Sequence, residues 1–341
     1  MGRFLPLFLF VFAFVPSLDA ADPPAKPATI PATKPVLKII PGKVIVPTDA
    51  MRRRWGELLT IDFKTRTGTF RDESTEEVTP FIVLPYAELL HHATFGDLED
   101  FRKGERVIFR LHQNDEGKWI WLTYIQDEMN MLNGHGEYFY VDRIDPKTGE
   151  IEYTQGNLER KPPYTRAKGL ILETDAETRY WKNGAPATFA DIHLGDKLRA
   201  KTHGIGKGKH HRAWEVFLDD ASLQKFQKEQ QAVHTKKLIE EGWPGYVDAV
   251  SSAEVHLTLF QEGREWAKDL KVGQAARVAA AGVDRKAFDA VEGTLLAIHP
   301  NRNLTEVTIA LKAAPHEPFV VAGLARFWPK LETLEKGTAK P

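Results

Sequence analysis

The stretch KTHGIGKGKHHR, residues 201–212, carries three histidines, three lysines, one arginine and three glycines. No other segment concentrates so much potential chemistry. Lys207, Lys209 and Arg212 on a glycine-loosened backbone can grip an anionic group such as phosphate, sulfate or a uronic acid. His203, His210 and His211 could instead ligate Zn²⁺ or Cu²⁺ through neutral imidazoles. Adjacent histidines on a strand point to opposite faces, so His210 and His211 share a metal only if the loop curls. The run Gly204-Ile-Gly206-Lys-Gly208 has neither the spacing nor the following helix of a phosphate-binding fingerprint. A solvated hairpin tip accounts for the same composition.

Trp119 and Trp121 are the second candidate, two rings on one strand face that would stack on sugars or bases if exposed. Core packing is the favoured reading, because Trp121 matches Trp214 and Phe288 and repeated aromatics usually fill repeated cores, and Tyr138 and Tyr140 carry the same ambiguity. His91-His92 falls where a helix is expected. Neighbours there diverge by about 100°, which suits a solvent edge better than a metal pair. No H-E-x-x-H, G-x-S-x-G or Walker loop occurs, and serines number five. Carboxylates are abundant, but no pair stands out by spacing as a glycosidase dyad.

The elements that must position these residues read as short strands. Residues 55–62, 69–71 and 79–84 form three. A helix is expected after Pro85, with Tyr86, Leu89, Leu90 and Phe95 at helical spacing. Residues 106–111 and 118–125 add two more strands, giving an OB-type small barrel. The pattern then recurs. FRKGERV, IHLGDKL and LKVGQAA align on Gly104, Gly195 and Gly273, with Trp121, Trp214 and Phe288 lying 17, 19 and 15 residues beyond. The residue after each glycine is Glu, Asp or Gln, so its charge is dispensable and Gly195-Asp196 reads as a turn opening the fourth strand. In this scheme residues 201–212 join strands four and five of the second copy.

The expected fold is therefore mainly β: tandem OB- or SH3-like barrels over 51–128, 133–219 and 243–330, joined by a helix over 220–242. That helix takes Asp219 or Asp220 as cap, Gly242 as stop, and a stripe of Leu223, Phe226, Val233 and Leu238. The last strands either complete the third barrel or begin a partial fourth. Residues 331–341 are a polar tail.

The amino terminus reads as an export signal over 1–20, with Arg3 ahead of FLPLFLFVFAFV and small residues near Ala20. That core is short for a permanent anchor, and no later stretch could span a bilayer. Prolines at 23, 24, 27, 31, 35 and 41 make 21–50 a stiff linker. Absence of cysteine excludes disulfides, thiolate sites and a lipidated cysteine. A net charge of −1 gives no whole-chain signal for nucleic acid.

Thr178-Arg-Tyr-Trp-Lys-Asn-Gly184, followed by Asp191-Ile-His-Leu-Gly195-Asp196 and Leu198, resembles the repeated small OB-like β-barrel domains of unknown function in bacterial secreted proteins. The resemblance implies a barrel fold and an envelope location, and brings no catalytic residue. The expectation is an exported, periplasmic or extracellular, non-enzymatic binding or scaffolding protein without a cofactor, its partner an envelope polysaccharide or protein. The alternatives are a metal-binding or metal-dependent protein using residues 201–212, and single-strand nucleic-acid binding on a barrel face, against which charge and export both argue.

Overall fold

The computed structural model describes residues 51–301 and 304–330. The expected signal, linker and polar tail lie outside the described residues. Three small closed barrels follow one another. The first uses β1 (Arg52–Asp62), β2 (Thr67–Asp72), β3 (Val78–His91), the short β4 (Thr94–Phe95), β5 (Arg106–Gln113) and β6 (Trp119–Asp127). Its sheet runs β2-β1-β5-β6-β3 and closes through β2–β3, with β3 and β6 parallel. The second repeats that wiring with β7 (Tyr138–Asp145), β8 (Glu150–Asn157), β9 (Tyr164–Glu173), β12 (Lys197–Lys207) and β13 (His210–Phe217). Here β9 and β13 are the parallel, closing pair. The hairpin of β10 (Arg179–Lys182) and β11 (Ala185–Ala187) extends its edge, turning through Asn183-Gly184 with both φ positive.

The third barrel is wired differently. β14 (Trp243–Val250), β15 (Glu254–Leu259), β16 (Ala275–Ala281), β17 (Val291–Asn301), β18 (Leu304–Leu311) and β19 (Leu324–Pro329) close in the order β14-β15-β18-β17-β16-β19, all antiparallel. The place of the third OB strand is filled by β18, which comes later in the chain. The carboxy-terminal strands therefore complete this barrel rather than begin a fourth.

The recurring glycine is a strand opener in all three copies. Gly104, Gly195 and Gly273 have φ of 84°, 82° and 83°, a region glycine adopts freely. The residue after each supplies an oxygen rather than a charge. Glu105, Asp196 and Gln274 accept from the backbone N–H of Arg102, His193 and Lys271 at 3.0, 2.8 and 2.9 Å.

The aromatic series does not survive. Trp121 flanks a cluster outside the barrel, Trp214 lies beneath Arg102, and Phe288 is 50% exposed ahead of β17. Arg110 faces Tyr124 in the first barrel, whereas its counterpart Lys201 faces Glu215 in the second. The two tryptophans thus sit at different registers. Each core has its own ring contact instead, Phe70 on Phe109 at 4.1 Å and Phe139 on Tyr153 at 4.2 Å.

The helix expected after Pro85 is also absent, because residues 78–91 form one strand. Pairing with β6 breaks between Val83 and Glu88, so Pro85 falls where its missing N–H costs no ladder bond. Phe81 and Val83 face the barrel core, while Leu84 and Tyr86 pack with Tyr246 and Phe260 of the third barrel. A strand buried on both faces loses the alternation that identifies strands.

α1 (Glu128–His135), not foreseen from the sequence, starts at an Asp127 cap and puts Met129 and Leu132 into the second core. α2 (Asp220–Glu241) is capped by Asp219, whose Oδ1 accepts from Ser222 N at 2.7 Å. Leu223 and Leu238 are buried as expected, but Val233 is 61% exposed and His234 takes the inner place.

Barrels one and two meet across a buried polar seam. Lys201 Nζ lies 2.6 Å from Glu105 Oε1, 2.7 Å from His91 Nε2 and 3.6 Å from Asp127 Oδ2. His91 and His92 are thus buried in this seam, not at a solvent edge. A two-residue turn, His92-Ala93 with φ of 48° and 63°, swings them inward, and Asp127 Oδ2 holds the turn by accepting from His92 N at 2.9 Å. Both φ values are uncommon for residues with a Cβ.

Lys201→Met should cost about 3–5 kcal/mol by urea unfolding at pH 8, because it strands Glu105 and Asp127. Burial already holds the Glu105 carboxyl above the ordinary range against the pull of Lys201, and losing that ammonium raises it further, so the variant should recover stability as pH falls. An unchanged urea midpoint would show that Lys201 does not neutralise the seam.

Candidate functional site

Above the seam the two barrels leave a cleft of about 370 Å³. Arg53 and Trp55 come from β1, Arg106 from β5, Tyr153 and Gln155 from β8, Arg166 from β9 and His211 from β13. Glu128 and Met131 of α1 complete the lining, which is therefore built on strands and one helix rather than on loops.

The floor is fixed by salt bridges. Arg106 donates to Glu73 at 2.7 and 3.1 Å and to Glu128 at 2.6 Å, and its guanidinium lies 4.1 Å from the Trp55 ring centroid. Glu128 Oε2 also accepts from the Thr202 hydroxyl at 2.6 Å and from Thr202 N. At the rim Arg166 grips the fully buried Glu137 side-on at 2.9 and 2.7 Å, and Gln155 donates to the same carboxylate at 2.8 Å. Burial works to raise the Glu137 pKa, but these hydrogen bonds outweigh it and hold the group below the ordinary range.

Arg53 is the exception. Among the described residues no carboxylate forms an ion pair with it. Desolvation first, then Arg110 and Arg166, lower its pKa. Arg110 is its cross-strand neighbour on β5, stacked over Tyr124, and Arg166 lines the same cleft.

His211 is the one residue of the 201–212 loop that reaches this cleft. Burial and then the Arg106 charge lower its pKa to about 4, so it is a neutral imidazole at physiological pH. Its seat needs Gly206, where a Cβ would come within 2.5 Å of the ring.

The other loop residues go elsewhere. His203 packs edge-on to Trp214, with ring centroids 5.5 Å apart. Lys207, Lys209 and His210 are exposed around the β12–β13 turn, and Arg212 pairs with Asp175 at 3.4 Å. The three histidines are therefore not brought together. Trp119 and Trp121 do not form a platform either. Trp119 packs on the first core under Arg52, and Trp121 faces the third barrel.

Two sets of possible metal ligands do converge among the described residues, each within 4.8 Å: His91, His92 and Asp127, and Glu150, Glu173 and His210. In the first, the Lys201 ammonium already takes the cation's place. In the second, Glu150 and Glu173 face each other across β8–β9 and His210 Nδ1 lies 2.7 Å from Glu173, an exposed set suited to a divalent ion such as Zn²⁺. Sequence reasoning found His210 and His211. It missed Arg53 and Arg166, which lie on strands with no local signature, and it counted Lys201 in the loop composition without its role in the seam.

No family model matches the chain, and no curated protein does. Among solved structures it is similar to one titled "Crystal structure of Ag(I)CusF", at 17% identity and a TM-score of 0.17, over 22% of this chain and 93% of that one. A likeness at that score places no residue.

The low folded pKa of His211 has a consequence for stability. An unfolded histidine takes up its proton near pH 6.5, whereas the folded one resists to about pH 4, so stability should fall as pH drops across that window. Arg106 and His210 add to this resistance, and Glu73 and Glu173 oppose it. His211→Asn should flatten the dependence of the urea midpoint on pH between 6.5 and 4.5, leaving the part due to His91, whose pKa is also lowered by burial and by Lys201. An identical slope in both proteins would place His211 in solvent.

Proposed function

We propose that this is an exported, non-enzymatic binding protein of the bacterial envelope, and that the cleft between its first two barrels takes an acidic polysaccharide. The observation carrying the proposal is Arg53, a guanidinium with no carboxylate ion pair among the described residues, lining a preformed cleft together with Arg166. An anion there relieves the repulsion that Arg110 and Arg166 exert on Arg53.

The remaining lining favours a sugar acid over a bare anion. Gln155 and the neutral His211 offer uncharged hydrogen-bonding groups for hydroxyls. Met131, Phe139 and the edge of Trp55 give an apolar wall for the C–H face of a ring. The carboxylates nearby, Glu128 and Glu137, are engaged by Arg106 and Arg166 and so are poor candidates for acid–base work. This supports binding without turnover.

Calorimetric titration of the protein with alginate, a polyuronate, against neutral dextran tests the reading. Alginate should bind in a salt-sensitive manner and dextran should not. Arg53→Ala should weaken alginate binding about tenfold, the worth of one charge-assisted contact. Equal binding of the two polymers, or unchanged affinity in the variant, would refute the assignment.

A further inference from the structure

The junction of the first barrel, α2 and the third barrel encloses a second, smaller cavity of about 60 Å³. Three guanidiniums, Arg66, Arg285 and Arg326, line it together with Lys237 and His234. Five carboxylates, Asp97, Glu99, Glu241, Glu262 and Asp284, line it too, and ion pairs tie three of the cations. Glu262 takes Arg285, Glu241 takes Arg326 at 3.2 Å, and Asp97 takes Lys237 at 3.1 Å.

Arg66 is left over. It sits on the β1–β2 turn with φ of 54°, and its carbonyl accepts from Val83 N at 2.8 Å, which fixes its backbone. Its Nε and Nη2 are closed off from solvent and have no hydrogen-bond partner among the described residues. These two donors form the side-on edge with which arginine grips an oxyanion. Arg285 Nε and both ring nitrogens of His234 are likewise buried without partners. Donors of this kind cost free energy when nothing accepts from them. Burial first, then the Arg285 charge, lower the Arg66 pKa to about 9.

We propose that this cavity binds one small oxyanion of phosphate or sulfate size, held by the Nε–Nη2 edge of Arg66 and by Arg285 Nε. Such an ion supplies the missing acceptors. It also ties the first barrel to the third, since Arg66 belongs to one and Arg285 to the other. The site is separate from the Arg53 cleft and does not depend on the polysaccharide reading.

The test uses the full chain in chloride buffer of constant ionic strength, titrated with inorganic phosphate and, in parallel, with sulfate. Calorimetry should show one saturable site, and the thermal midpoint should rise with anion concentration by mass action. Arg66→Met should abolish both effects, while Arg53→Ala should keep them. Without phosphate or sulfate, Arg66→Met should be as stable as the parent or more so, because it removes an unpaired buried cation. Far-ultraviolet circular dichroism verifies that each variant folds. The proposal is overturned if phosphate stabilises Arg66→Met as much as the parent, if Arg53→Ala alone loses the effect, if neither anion binds saturably, or if a folded Arg66→Met is less stable in chloride.

Discussion

A lysine ammonium leaves water only where the protein replaces its hydration shell. At the seam between the first two barrels the replacement is complete. Glu105 comes from the turn that opens β5, Asp127 from the cap of α1, and His91 from the turn after β3, while Lys201 itself belongs to β12 of the other barrel. Three separate segments of the first barrel therefore converge on one atom of the second. Oil-like packing tolerates sliding, but an arrangement of this kind fixes register. The cleft above depends on that register, because Arg53 and Trp55 must face Gln155 and Arg166 across the same boundary.

Glu105 shows how such a contact arises in a repeated fold. Its counterparts Asp196 and Gln274 do one thing, closing a turn through a side-chain oxygen. Glu105 keeps that task with Oε2 and turns Oε1 toward Lys201. The sequence shows the first role plainly, since three copies hold three different oxygen-bearing residues beside a glycine. It hides the second, because the partner lies far along the chain and an isolated lysine on an alternating strand looks like any solvated one.

The same distinction separates what was legible from what was not. Tandem barrels, the strand-opening glycines and the span of α2 follow from local signals: turn residues, alternation and caps. The errors come from surfaces buried against other barrels. Residues 81–90 are apolar on both faces and so mimic helical spacing. The inner face of α2 is mixed: Leu223, Phe226 and Leu238 pack inward as the stripe suggests, but Gln230 bonded to Asp100 at 2.7 Å and Lys237 to Asp97 share that face, and Val233 is exposed. The histidine-rich loop drew attention by composition, yet a two-residue hairpin cannot gather side chains that alternate between faces, and only His211 turns into the cleft.

The first barrel is the hub, and its two junctions handle charge in contrasting ways. Toward the second barrel every buried charge near the seam has a partner, and the surplus cations stand at the rim where water reaches them. Toward the third barrel the apolar contact of Leu84, Tyr86, Tyr246 and Phe260 supplies the adhesion, with each such side chain worth about 1.5–3 kcal/mol when fully buried. That adhesion is strong enough to trap charge imperfectly matched beside it, which is how Arg66 can be enclosed without a carboxylate of its own. Removing such a cation would improve packing, so its retention there is better explained by something that comes and goes from the cavity than by the stability of the chain alone.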